Sequence, residues 1–250
     1  MPVLTGEFVI SQRCVGTIAE DLSLTLPATV AAEPLYYEDG EFRQFRDAAY
    51  RELGQMGLFD RREPSPAFID SLTVLCTANV EFYGFVATTD RQYTLHVAAR
   101  GQDAVFAALA GEEVLLRPGH PQSLVSELLA ELPEARPAGG RTMSAPEADI
   151  QPMSERSQAT GAAPRGDARR LIELLTQPHQ AAGKLHTATR IGVDARRVYS
   201  TDPIGFVDTE QGRWLTYATG ADGARHVTAA PGRTEAITNK LHEAQQELQR

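Results

Sequence analysis

The chain has 250 residues, 42% of them apolar and 23% charged, enough for one large domain or two small ones around a true core. Its formal net charge of -9 disfavours nucleic acid or an anionic membrane as a partner. No apolar run approaches the ~18–20 residues of a membrane span and no leader pattern opens the chain, so a soluble cytoplasmic protein without stable membrane insertion is expected.

In chain order, Gly6 to Ile10 reads as a short strand, and Ser11 is placed to cap a helix over 12–22 whose Cys14, Val15, Ile18 and Leu22 recur at helical spacing. EDGEFRQFRDAAYRELGQMGLFD is the clearest helix. Phe42, Phe45, Ala49, Leu53 and Met56 form its stripe, and Gly57 is its left-handed terminator. SPAFIDSLTVLCTAN gives another, with Pro66 in the first turn and Phe68, Leu72 and Leu75 inward. The two cysteines, Cys14 and Cys76, fall inside helices and read as small buried hydrophobes, with no disulfide framework or Cys-x-x-Cys pair.

The period then changes to that of strands. VEFYGFVATTDRQYTLHVAARG holds two about Thr89-Asp90-Arg91, and QDAVFAALAGEEVLLRPG two more about Gly111-Glu112. HPQSLVSELLAELP returns to helix. From 134 to 166 the chain is rich in Pro, Gly, Ser and Ala, with no aromatic residue and no sustained apolar period, which predicts a mobile linker between halves 1–133 and 167–250. Beyond it the order of elements recurs: a helix with Leu171, Leu174 and Leu175 inward, four strands including GKLHTATRI and GRWLTYAT, a tight Asp222-Gly223 turn before the last strand, and a closing helix carrying Ile237, Leu241 and Leu248. The expected fold is α+β, a largely antiparallel sheet from two pseudo-twofold-related halves within one compact domain. Helices cover one of its faces, and the halves pair edge to edge.

Chemistry finds little footing. Asp208 and Thr209 read as turn residues, and Asp208 with His226 would be an acid-base pair without a nucleophile. His96, His120, His179, His186 and His242 are scattered, and no nucleophile elbow, dinucleotide fingerprint or phosphate loop occurs. No catalytic residue, cofactor or metal is expected. The aromatics say more: Phe82, Tyr83 and Phe85 share a strand, Tyr93 lies across the hairpin, and Trp214 and Tyr217 sit on the corresponding strand of the second half. Core packing accounts for most of them; any on an open sheet face, rimmed by charge, would bind protein. TRIGVDARR, with Arg190, Arg196 and Arg197, reads as a solvent-facing turn or a binding patch. The expected partner-binding set is Phe82, Phe85, Tyr93, Arg190, Arg213, Trp214 and Tyr217.

Three stretches resemble the EspG family, the type VII (ESX) secretion chaperones of actinobacteria. They are FRQFRDAAYRELGQMGLFD, with its signature at Leu53 to Leu58; RRLIELLTQPHQAAGKLHTATR, with Leu174, Leu175, Pro178, Gly183 and Arg190; and IGFVDTEQGRWLTYAT, with Asp208, Thr209, Gly212, Arg213, Trp214 and Leu215. VTAAPGRTEAITNKL fits the family's closing strand-to-helix step at Pro231 and Leu241. The resemblance implies a cytosolic, non-enzymatic chaperone, monomeric or weakly dimeric. It would hold the apolar helical tip of the PPE member of a PE–PPE-like heterodimer through sheet, loop and C-terminal helix, and release it for export. Two other readings stay open on the residues: a small α/β enzyme of unknown reaction, and an adaptor for another helical partner.

Overall fold

A computed structural model of the chain describes residues 3–32, 41–60, 63–150, 165–192, 194–221 and 223–250. The first strand, β1 (Phe8–Ser11), runs directly into α1 (Gln12–Asp21). Ser11 caps α1 as its sequence position predicts, its hydroxyl accepting from the amide of Cys14. The same hydroxyl donates to Glu52 at 2.7 Å, which pins α1 to α2 (Glu41–Gln55). Gly57 ends that passage at φ 71°, and a small ribbon of β2 (Phe59–Asp60) and β3 (Glu63–Pro64) leads to α3 (Pro66–Thr77). Ser65 caps α3 and Pro66 occupies its first turn, where the missing N–H costs nothing.

Four antiparallel strands follow: β4 (Val80–Thr88), β5 (Gln92–Arg100), β6 (Asp103–Ala110) and β7 (Glu113–Gly119), then α4 (Leu124–Ala130). Residues expected to be a mobile linker carry regular structure up to 150, as β8 (Met143–Pro146) and α5 (Glu147–Ile150). β8 pairs with a strand of the second half, Met143 opposite Ala229, and Ala138, Met143, Ala145 and Ile150 are buried. Two inward side chains of a four-residue strand are too few to register as a period, so the compositional reading missed it. Residues 151–164 of that stretch lie outside the described residues, as do Phe42's side chain and Asp222 of the expected turn.

The second half comprises α6 (Gly166–Thr176), β9 (Ala181–Ile191), β10 (Arg196–Tyr199), β11 (Ile204–Thr209), β12 (Gly212–Thr219), β13 (His226–Pro231) and α7 (Thr234–Glu247). Among the described residues these build one eleven-stranded sheet in the order β1-β7-β6-β5-β4-β9-β11-β12-β13-β8, with β10 also paired to β9. The halves meet where β4 and β9 pair antiparallel, Val80 opposite Thr189 through Thr88 opposite Ala181. Order and place correspond across this seam. α3, β4 to β7 and α4 answer to α6, β9, β11 to β13 and α7, while β1 and β8 close opposite edges and each leads into a helix. β10 is an addition within the second half. Asp202-Pro203 separates it from β11.

Helices occupy both faces rather than the one expected. α4 and α7 bury Leu128, Ile237 and Leu241 against Phe82, Val97, Phe106, Leu185 and Phe206. Gly84 and Gly183 serve this packing. A Cβ at Gly84 would come within 2.7 Å of Leu185, and one at Gly183 within 2.4 Å of Phe206. On the other face α1, α2 and α3 cover one end with Ile18, Leu53, Phe68 and Leu72, and α6 covers the opposite end with Leu171 and Leu174 over Trp214.

Candidate functional site

Side chains alternate across a strand, so β4 sends Phe82 and Val86 to the face under α4 and α7, and Glu81, Tyr83 and Phe85 to the other. Between the helical groups of that second face lies an uncovered hollow of about 740 Å³. Small residues make it concave: Ala87, Ala182, Gly205, Thr216 and Ala218 form the floor, while Phe85, Leu109, Leu175 and Val227 stand around them. Phe85 is 42% exposed and Leu175 40%, an unusual concentration of accessible apolar surface on a rigid sheet. Lys184, exposed, rises from the middle of the floor, with Phe85 beside it on β4 and Gly205 on β11. At the rim Arg225 holds Asp202 at 2.6 Å and Glu147 at 3.0 Å, tying the loop after β10 to α5.

Phe85 also borders a second cavity of about 310 Å³. Here Tyr83 is sandwiched between His96 of β5 and His186 of β9, with ring centroids 5.7 Å and 5.3 Å away and planes within 13°. Beneath the stack Glu81 accepts from Arg197 of β10 at 2.8–3.1 Å. Burial would raise the Glu81 carboxyl's pKa, but the nearby His96 imidazole and the bonds from Arg197 outweigh it and hold the group down to about 2. Burial pushes the Tyr83 phenol up and the His186 imidazole down.

His96 lies 2.8 Å from the Thr29 hydroxyl and 3.5 Å from Glu81, an order of groups that superficially copies a hydrolytic triad. Thr29, His96 and Glu81 are each no more than 2% exposed, and the carboxylate is already spent on Arg197. The cluster is a tie. It straps the 24–31 loop and β10 onto the sheet. Among the described residues no three His, Cys, Asp or Glu side chains are grouped to hold a metal, and no helix is long and apolar enough to cross a membrane. Cys14 and Cys76 are buried, and burial pushes both thiols up to about 12, where they are inert at neutral pH.

Of the residues expected to bind a partner, Phe85 stands exposed in the hollow. Phe82, one residue out of phase with Tyr83, is 2% exposed and packs edge-on against His242. Tyr93 is buried and its hydroxyl donates to the carbonyl of Glu131, while Trp214 lies beneath α6. Arg213 is buried, its guanidinium forked onto Asp208 with two bonds of 2.7 Å and capping the Pro133 carbonyl at 2.6 Å. Asp208 therefore serves Arg213, and His226 stands exposed on β13. Tyr217 is half-buried with the Lys240 ammonium 4.7 Å above its ring. Arg190 donates to the Cys76 and Ala195 carbonyls, joining β9 to α3 and to the β10 hairpin. Sequence reasoning missed Leu175, placed inward with Leu174, and Lys184 in GKLHTATRI, whose alternation with Leu185 was the available signal.

The chain matches the EspG family over residues 16–243. Its fold is similar to that of the Mycobacterium tuberculosis type VII secretion system chaperone EspG5, solved in complex with a PE25-PPE41 dimer, with a TM-score of 0.71 over 95% of each chain at 12% identity. No curated protein matches the sequence. The family match runs from within α1 to within α7, taking in β4 to β13 and the hollow between the helices: the chain belongs to the EspG family.

Proposed function

We propose that the protein is a cytosolic chaperone of type VII secretion that grips the apolar helical tip of a PE–PPE-like heterodimer and keeps it soluble until export. The family match across residues 16–243 carries this reading. The hollow supports it, because a chaperone for a helical tip needs accessible apolar surface held on a stiff platform, and Phe85 and Leu175 supply it. Without cargo the protein is a monomer or weak homodimer. Co-expression with a PE–PPE pair from the same genome is expected to yield a stoichiometric ternary complex on size-exclusion chromatography. Phe85→Asp and Leu175→Asp, at the two exposed apolar positions, should prevent the complex while each variant still unfolds cooperatively in urea. A pair that is made in soluble form but never co-elutes with the wild-type chain refutes the proposal.

A further inference from the structure

Lys184 is a charge in the hollow that neither apolar contact nor an ion pair among the described residues accounts for. Its strand neighbours across the sheet are Phe85 and Gly205, and the residues around it are Ala182, Thr216 and Val207. The two carboxylates that line the hollow, Asp202 and Glu147, are both bound to Arg225. Lys184 thus makes no ion pair with any described residue and relies on water for its solvation. A partner that fills the hollow removes that water, and a buried ammonium with no counter-charge is costly enough to oppose docking. Any well-fitting occupant must bring an anion to that point.

We propose that the hollow selects a helical tip in which apolar side chains surround one Asp or Glu, the apolar groups meeting Phe85 and Leu175 and the carboxylate seated on Lys184. This rests on the function proposed above and names what that function recognises. A tip with apolar residues alone would strand the ammonium, and one with a lysine or arginine at that place would meet like charge. Lys184 then rejects wrong tips as much as it attracts the right one. His186, next on the same face and stacked on Tyr83, is held towards its neutral form by burial and by the Lys184 charge, Arg225 is committed to Asp202 and Glu147, and Gln92 is uncharged, which leaves Lys184 as the charge that reads the partner.

The test uses the full chain and a PE–PPE pair from the same genome, with affinity read by titration calorimetry and folding of each variant by its urea midpoint. Lys184→Met should weaken binding by roughly 30-fold or more, because it leaves the partner's carboxylate buried and unpaired. Lys184→Glu should weaken it further, and changing one acidic residue of the PPE tip to Lys should restore binding to that variant. Both variants binding as tightly as the wild type, their midpoints unchanged, overturns the inference while leaving the chaperone reading in place: the lysine stem would then be reaching past the partner into water. A wild-type chain that takes up no PE–PPE pair overturns both.

Discussion

Replacing Arg213 by Met should destabilise the free protein, with the size of the loss set by what the guanidinium leaves behind. The side chain is 9% exposed and that of Asp208 3%, so the carboxylate would stay in the interior without a counter-charge. Breaking a buried pair from one side costs about 3–5 kcal/mol. The Pro133 carbonyl also loses its donor, and the Phe206 ring loses the cation 4.8 Å above it. For a chain of this size such a loss corresponds to a Tm lower by roughly 6–20 °C. Asp208→Leu combined with Arg213→Met removes both charges, and most of the loss should return because no orphan ion remains. Urea unfolding of wild type, both single variants and the double variant measures the cycle. A double variant no more stable than Arg213→Met refutes the reasoning. So does a single variant as stable as wild type that only weakens partner binding, since Arg213 would then act as a contact residue.

The Glu81–Arg197 tie should show itself in acid. Its carboxyl sits at about 2 against 4.5 for the free side chain, so the tie stabilises the fold above 4.5 and is lost as pH falls from there towards 2. The shift corresponds to roughly 3 kcal/mol at full strength. Glu81→Gln should flatten the acid limb of a stability–pH curve, and equal slopes in both proteins would show that the carboxyl is not held down. Gly212→Ala should cost about 2–4 kcal/mol, since φ is 112° there and the new methyl would stand 2.6 Å from the Arg136 carbonyl. A urea midpoint equal to that of wild type would mean the 136–138 segment can step aside.

Local signals made part of this molecule readable. Ser11 before an apolar period, Ser65-Pro66 before another, and Gly111 or Gly212 between β runs each act within a few residues, and each sits where its chemistry requires. The alternation of Trp214 and Thr216 with Leu215 and Tyr217 was also legible, because it follows from the pleat alone. What stayed hidden depends on partners distant in the chain. Whether Trp214 faces water is decided by where α6 comes to rest, which nothing in GRWLTYAT encodes. The stack of Tyr83 with His96 and His186 needs the registers of β4 with both β5 and β9. Leu175 looked inward because it follows Leu174, yet the inward stripe of α6 is narrow, and the next residue round the helix clears it and overhangs the hollow.

The antiparallel seam between β4 and β9 has a consequence for descent. A lone half-length unit would carry β4 as a bare border, its amides and carbonyls ready to bind a second copy of itself in the same antiparallel sense. Joining two such units in a single polypeptide turns a dilution-sensitive homodimer into a permanent one. It also frees each copy from having to match the other, so that one could acquire the β10 hairpin, the Arg197 strap and a charged hollow that a symmetric pair would have been obliged to build twice.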